Sequence, residues 1–117
     1  MEKLDRKQEQ MSGPVRGLLQ RCAEAVHEEY PEARIVLFGS QARGEATAQS
    51  DVDVLVLLNS AVSSQERSRI HDRLYEIALD HDVVISAIIK STAQWEQPIS
   101  RATPLYQAVQ NGGILVA

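Results

Sequence analysis

The 117-residue sequence contains one cysteine and no long apolar run. The single thiol, Cys22, can form neither an internal disulfide nor a cysteine-based metal site, so we expect a small apolar residue on a buried helix face. No apolar stretch approaches the roughly 20 residues that span a bilayer, and the charged N-terminus has no apolar core behind it. These absences predict a cytoplasmic protein without a membrane partner.

Positive charge is also scarce. Twelve Lys and Arg stand against sixteen Asp and Glu, for a formal net charge of −4. A protein that binds nucleic acid unaided usually has a basic face, because phosphate neutralisation supplies much of the affinity. The sequence has no dense run of Lys or Arg, so direct binding to nucleic acid is not expected.

The pattern of apolar residues predicts one compact domain. Residues 1–12 are polar and lack periodicity, which predicts a disordered leader before a single domain over 13–117. The order of elements is helix, strand, strand, helix, strand and helix, and Ser63 with Glu66 predicts a capping box at the second long helix. The predicted strands are Arg34–Phe38, Val52–Leu58 and Val83–Ile89. This order predicts an α/β (α+β) two-layer sandwich, a small mixed sheet with helices packed on one face.

Two aspartates occur at the start of the second predicted strand. Asp51 and Asp53 are two residues apart, so both side chains leave the same face, roughly 6–7 Å from each other. Val52 and Val54 point to the other face, which can serve the core. Carboxylates that project together suit hard cations such as Mg²⁺, which prefers carboxylate and phosphate oxygens. The competing interpretation is a turn followed by a solvent-facing aspartate on an edge strand.

A glycine–serine pair directly follows the first predicted strand. Gly39 permits a positive φ or a close approach of the backbone to a ligand. The Ser40 hydroxyl and the N–H groups of a helical turn can bind an anion, and Arg43 adds a forked cation suited to phosphate oxygens. Taken alone, a Gly-Ser pair after a strand is an ordinary turn. An anion cradle followed by two carboxylates on the next strand is a much rarer combination.

The segments GSQARG and SDVDVLV together resemble the GS-x-ARG…SD-x-D signature of the minimal nucleotidyltransferases in the DNA polymerase beta-like superfamily. The motif covers residues 39–56, and the flanking order of elements extends the likeness over most of the chain. The resemblance implies that Gly39 and Ser40 hold the β- and γ-phosphates and that Arg43 positions the triphosphate. It also implies that Asp51 and Asp53 bind two Mg²⁺ ions and that the fold is the polymerase beta-like one.

The family pattern includes a third carboxylate on a neighbouring strand, and here its identity is open. Asp82, directly before the third predicted strand, is the best candidate for a catalytic, metal-binding acid. Asp80 is a second candidate. In relatives this acid often falls inside the strand, where the present sequence has Val84 and Ser86. If the acid is missing, transfer would be slow or lost while nucleotide binding persists.

The resemblance implies a Mg²⁺-dependent enzyme that transfers AMP from ATP to an acceptor hydroxyl. Many minimal members resemble antitoxin partners of HEPN-domain toxins, which implies a tyrosine of a HEPN partner as the acceptor. We expect the apolar tail Ile114–Val116, as an edge strand or docking segment, and an exposed region around Trp95 to suit such an interface. Trp95 itself is expected to pack or anchor a partner rather than stack on a base. The alternative function is a non-catalytic, nucleotide-binding antitoxin or scaffold module.

Overall fold

The computed structural model describes residues 2–3, 13–44 and 51–117, which form a five-stranded sheet and six helices. The strands are β1 (Glu2–Lys3), β2 (Arg34–Phe38), β3 (Val52–Leu58), β4 (Ile85–Ser91) and β5 (Ile114–Leu115). The helices are α1 (Gly13–Glu29), α2 (Ser40–Arg43), α3 (Ser64–Asp80), α4 (Thr92–Trp95), α5 (Pro98–Arg101) and α6 (Pro104–Gly112). Within the described ranges, no helix is long and apolar enough to cross a membrane.

The strands lie in the order β1-β5-β2-β3-β4. β5 pairs antiparallel with β2, and β2 pairs antiparallel with β3, whereas β1–β5 and β3–β4 are parallel pairs. The predicted α/β class and mixed sheet are therefore confirmed. The predicted strands β2 and β3 have the bounds that the apolar runs indicated.

One face of the sheet carries the two long helices. The even-numbered side chains of β3 are fully buried in the main core, which α1 and α3 complete. Helix α3 begins at the predicted capping box, in which the Glu66 N–H donates to Ser63 Oγ at 3.1 Å and the Ser63 N–H donates to Glu66 Oε1 at 3.3 Å. A cap of this kind contributes about 1 kcal/mol to helix stability.

Helices also cover part of the opposite face of the sheet, in addition to the one face that the sequence predicted to be covered. Leu55 and Leu57 of β3 are buried there with Trp95 of α4 and Tyr106 of α6. Trp95 is 1% exposed, and its ring centroid lies 4.9 Å from that of Tyr106. The expectation of an exposed region at Trp95 is wrong for this side chain, because the indole fills the second core. Its interpretation as a packing residue is confirmed.

The apolar tail is part of the sheet. Ile114 is fully buried, and β5 lies between β1 and β2 rather than at an edge. The expectation of an edge strand is therefore wrong for β5, because its backbone groups pair on both sides, whereas a docking role of the tail stays a prediction. Glu2–Lys3, at the start of the predicted leader, pair with β5, and the rest of that leader lies outside the described residues.

Strand β4 begins two residues later than predicted. The Val83 N–H donates to the Ala78 carbonyl at 3.1 Å, so Val83 is still bonded to the last turn of α3 rather than to the sheet. Asp82 has a φ of 54°, in the left-handed region, and reverses the chain between α3 and β4. The apolar run could not show where the turn ends and the strand begins, because Val83 and Val84 are apolar as well.

Candidate functional site

The two predicted acids lie at the N-terminal end of β3, on the face that α4 and α6 cover only further along the strand. Asp53 is half-buried, and Asp51 is exposed. In the sheet register Asp53 stands between Phe38 of β2 and Ser86 of β4. β3 is thus an inner strand, and the competing interpretation of an aspartate on an edge strand is wrong.

Gly39 brings the backbone directly against the Asp53 carboxylate. Its φ of 77° and ψ of −157° lie where a side chain is strained. A Cβ built on Gly39 would overlap Asp53 Oδ2 and would lie 3.1 Å from Asp53 Cγ. Glycine is required here for two independent reasons, the backbone conformation and the space. The close approach joins the predicted phosphate-binding turn to the predicted metal-binding strand.

The short helix α2 continues from Gly39. The Arg43 N–H donates to the Gly39 carbonyl at 3.2 Å, and Gly44, with a φ of 73°, ends the turn. The buried side chains of Gln41 and Ala42 fix α2 against the ends of β2 and β3. Ser40 is half-buried and Arg43 is exposed. A single turn therefore carries Gly39, Ser40 and Arg43 beside the N-terminal end of β3, where Asp53 lies.

The turn from Gly39 to Arg43 and the aspartates Asp51 and Asp53 together form what we call the acidic corner. Its electrostatics favour a bound cation. Burial raises the pKa of the Asp53 carboxyl above its ordinary value, and the negative charge of Asp51 raises it further. The Arg43 guanidinium acts in the opposite direction without outweighing them. A carboxylate that is partly desolvated beside a second carboxylate is stabilised by any cation that reaches both. Arg43 does not fully compensate this negative charge.

Asp82, the predicted third acid, lies outside β4. It is exposed in the turn before β4, and Ser86 is the β4 residue level with Asp53. Asp82 precedes Ser86 by four positions, and its φ of 54° turns the chain away from the line of the strand. Among the described residues, no group of three or more His, Cys, Asp or Glu side chains could hold a metal ion. The role of Asp82 as third acid stays a prediction.

The second candidate acid faces elsewhere. Asp80 Oδ2 accepts a hydrogen bond from Arg21 Nη2 at 3.1 Å, on the side of α3 that packs against α1. The sheet register instead identifies Ser86 as the nearest β4 position to Asp53, and its side chain points to the same face. The family resemblance points to this position or to Val84 for the acid of relatives, and the register shows that Ser86 is the one level with Asp53.

The fold and this corner define a nucleotidyltransferase domain. Residues 19–104 match the family described as "Nucleotidyltransferase domain", which is more than half of the chain. The chain therefore belongs to this family, and the predicted likeness to the minimal nucleotidyltransferases is confirmed.

Two proteins of Methanocaldococcus jannaschii, both named as candidate protein adenylyltransferases, are similar in sequence. The chain is 41% identical to MJ0141 over 56 residues, which is 48% of this chain and 57% of that protein. It is 34% identical to MJ0604 over 67 residues, which is 57% of this chain and 62% of that protein. The match thus spans less than two thirds of the length of either relative.

Solved structures of toxin–antitoxin complexes contain a chain with a similar fold. A toxin–antitoxin structure with AMP-PNP superposes with a TM-score of 0.59 at 19% identity, covering 83% of this chain and 70% of that chain. A mutant of the toxin–antitoxin pair MntA–HpeT gives a TM-score of 0.58 at 19% identity over the same shares. At this level of identity the likeness shows the fold.

Proposed function

We propose that this chain transfers AMP from ATP to an acceptor hydroxyl and releases pyrophosphate. The close approach of Gly39 to the Asp53 carboxylate is the observation that supports the proposal most. It brings the turn proposed to bind phosphate next to the carboxylate proposed to bind the cation, as a metal–triphosphate complex requires. Membership of the nucleotidyltransferase family supports the reaction class. We keep the predicted cytoplasmic location as part of the proposal.

The acidic pair fits Mg²⁺. Asp51 and Asp53 share a strand face, the pKa of Asp53 is raised by burial and by Asp51, and Gly39 leaves one Asp53 oxygen uncovered by a Cβ. Mg²⁺ takes oxygen ligands from one or two carboxylates together with substrate phosphates. We propose that these two residues hold two Mg²⁺ ions. When bound, the ions supply stabilisation of the negative charge on the reacting phosphate oxygens.

The remaining residues of the corner would bind and orient the triphosphate. We assign Gly39 and Ser40 to the β- and γ-phosphates, through the N–H groups of the turn and the serine hydroxyl. The Arg43 guanidinium would align the phosphate chain through its forked donors. Transfer of a phosphoryl-type group needs positioning and charge more than covalent help from the protein. The acceptor oxygen then bonds to the α-phosphorus as the bond to pyrophosphate breaks.

The proton of the acceptor hydroxyl is assigned to Asp82, as the sequence predicts. Two variants test this assignment. Asp82→Asn should abolish transfer if Asp82 is the third acid. If the acid is instead missing, Asp82→Asn leaves the rate unchanged, and Ser86→Asp, which adds a carboxylate level with Asp53, should increase it.

We propose a protein acceptor, a tyrosine of a HEPN-domain toxin. The names of the two Methanocaldococcus jannaschii relatives point to protein adenylylation, and the two similar solved structures described above are toxin–antitoxin complexes. The test is incubation of the chain with a HEPN protein, α-labelled ATP and Mg²⁺. Label should appear on the partner, and mass spectrometry should locate one AMP on a tyrosine. Label that is absent with every HEPN protein tested would contradict this acceptor.

The second candidate is a nucleotide-binding antitoxin without transferase activity. It is favoured by the absence of a three-acid cluster among the described residues. In that case the chain would bind ATP and the partner and would neutralise the partner by contact. Complex formation without label transfer, in wild type and in Ser86→Asp alike, distinguishes this function from the first.

A further inference from the structure

The outer edge of β4 has no strand partner among the described residues. The Val52 N–H donates to the Val84 carbonyl at 2.9 Å, which sets the register of the β3–β4 ladder. Because backbone N–H and C=O groups alternate in direction along a strand, those of Ile85, Ala87 and Ile89 point away from β3. An open edge of seven residues is a template for pairing with another strand.

An apolar stripe on α3 accompanies this edge. Tyr75 and Leu79 are four residues apart, so they share one side of the helix, and they are 62% and 59% exposed. Arg73 of α3 forms an ion pair with Glu28 of α1 at 3.6 Å, which places α1 on the opposite side of α3. The stripe therefore lies on the side of α3 turned away from α1, and α3 itself packs on β4. Val84, which directly precedes β4 and is 64% exposed, lies on the opposite face of the sheet, because Val83 and Ile85 on either side of it pack into the core beneath α1 and α3.

We propose that a second copy of this chain docks on this surface, with β4 of one copy pairing antiparallel to β4 of the other. The two-fold axis lies at Ser86. Ile85 and Ala87, whose backbone groups point outward, then exchange hydrogen bonds with Ala87 and Ile85 of the second copy. The five-stranded sheet becomes a continuous sheet of ten strands. The two paired β4 strands form the seam of the dimer, and the α3 stripes meet across it.

Charge and shape select this register. With the axis at Ser86, Val84 stands opposite Ile88 of the second copy, and the turn that carries Asp82 lies beside Lys90 of the second copy. Symmetry forms each contact twice. Lys90 is the only charged residue of β4, so no like charges oppose each other along the seam. An axis two residues further along would remove the Asp82–Lys90 pairing and leave Val84 uncovered.

The area is sufficient for a concentration-dependent dimer. The exposed parts of Tyr75, Leu79 and Val84 amount to about 250–300 Å² per copy, taking about 200 Å² for a whole tyrosine and somewhat less for the others. The edge of a seven-residue strand, about 23 Å long against a sheet roughly 10 Å thick, adds about 230 Å². Two copies together bury about 1,000 Å², the lower limit for a specific interface.

The pairing also sets the distance between the two acidic corners. Asp53 is level with Ser86, and three strand spacings of about 4.8 Å separate the two Asp53 positions, or about 14 Å in all. Both corners lie on the same face of the ten-stranded sheet. If the proposed function is correct, a protein acceptor bound at one corner covers the other, and each dimer modifies one acceptor molecule at a time.

Light scattering over a range of concentrations tests the dimer without substrate or partner, so its failure leaves the proposed function untouched. The mass should rise from 13.0 kDa towards twice that value. Leu79→Glu and Lys90→Glu should each raise the dissociation constant at least about tenfold, since each puts an acid at the seam, and in Lys90→Glu it faces Asp82. Ile99→Glu is the matched control, because Ile99 is 79% exposed on α5. A wild type that stays monomeric, or a control that dissociates equally, would overturn the proposal.

A mixing experiment tests the register. Asp82→Lys sets two lysines against each other across the seam, and Lys90→Glu sets two acids against each other, so each variant alone should be monomeric. An equimolar mixture should recover a dimer, because the introduced lysine of one variant then faces the introduced glutamate of the other, while the native Lys90 faces the native Asp82. A mixture that remains monomeric, with both variants folded by circular dichroism, argues against this register.

Cross-linking tests the axis itself. Directly opposite residues of a non-hydrogen-bonded antiparallel pair have Cα atoms about 4.5 Å apart, within the range a disulfide spans. Ser86→Cys should therefore form a disulfide dimer rapidly under mild oxidation, whereas Ile99→Cys should react only slowly. Cys22 is buried and should not compete. Equal rates for the two variants would contradict an axis at Ser86.

Discussion

The two ends of β3 share one sheet face and serve opposite purposes. At the C-terminal end, Leu55 and Leu57 are sealed beneath Trp95 and Tyr106. At the N-terminal end, Asp53 meets the turn at Gly39 and is only half-buried. One end lowers the free energy of the fold by excluding water, and the other holds a partly desolvated carboxylate against a glycine backbone. The apolar burial at the C-terminal end of β3 therefore offsets the free-energy cost of the partly buried carboxylate at its N-terminal end.

The largest effect that would test this division is at the sealed end. Trp95→Ala should lower the free energy of unfolding by about 3–5 kcal/mol, because it leaves a cavity in the second core. Urea denaturation measures the change, and Tyr75→Ala, at a tyrosine that is 62% exposed, is the control and should cost far less. Similar losses in the two variants would mean that the C-terminal end is not the stabilising one.

At the open end the effect should fall on activity. Asp53→Asn should reduce the transfer rate by about 10²–10³-fold, since it removes one of two carboxylates proposed to hold the metal. Asp72→Asn, an exposed acid on α3, is the control and should leave the rate unchanged. Label transfer from α-labelled ATP measures both. A rate preserved in Asp53→Asn would show that the reaction centre lies elsewhere.

The contact between turn and strand should be sensitive to a single methyl group. Gly39→Ala should destabilise the fold by about 1–3 kcal/mol, because it combines a positive φ with an overlap at Asp53 Oδ2. It should also weaken ATP binding, measured by calorimetry. Gly112→Ala is the control, as a Cβ there meets nothing within 4 Å. Equal stability of the two variants would mean that the close approach is not tight.

The sequence predicts the open end better than the sealed one. Gly39, Ser40 and the Asp51–Asp53 pair carry a local motif, so their types and spacing were sufficient to locate the corner. Trp95 belongs to a helix of four residues, which is too short to show a periodic pattern. Its burial depends on Tyr106, eleven positions away, and on a sheet face that only the complete topology defines.

Pairing between distant segments was also beyond local patterns. β5 lies beside β2 because Leu37 is in register with Ile114, and nothing in the tail itself specifies that neighbour. The prediction for Asp82 depended on a strand beginning at Val83. Only the positive φ of Asp82 and the hydrogen bond from the Val83 N–H show that β4 starts later and that Ser86 lies level with Asp53.

The smallest effect concerns the cost of charge at the open end. Burial and Asp51 raise the pKa of Asp53 above its ordinary value, so the folded state holds the proton more tightly than the unfolded chain does. Without metal, the contribution of Asp53 to stability is greatest below the unfolded pKa and falls as the pH rises through the folded pKa. Urea unfolding of wild type and Asp53→Asn across this range should therefore show the wild type losing stability relative to the variant.

Saturating Mg²⁺ should reverse the difference at neutral pH, since a cation favours the ionised carboxylate. A wild type that gains on the variant with rising pH in the absence of metal would mean that Arg43 outweighs both burial and Asp51, and that the corner does not await a cation.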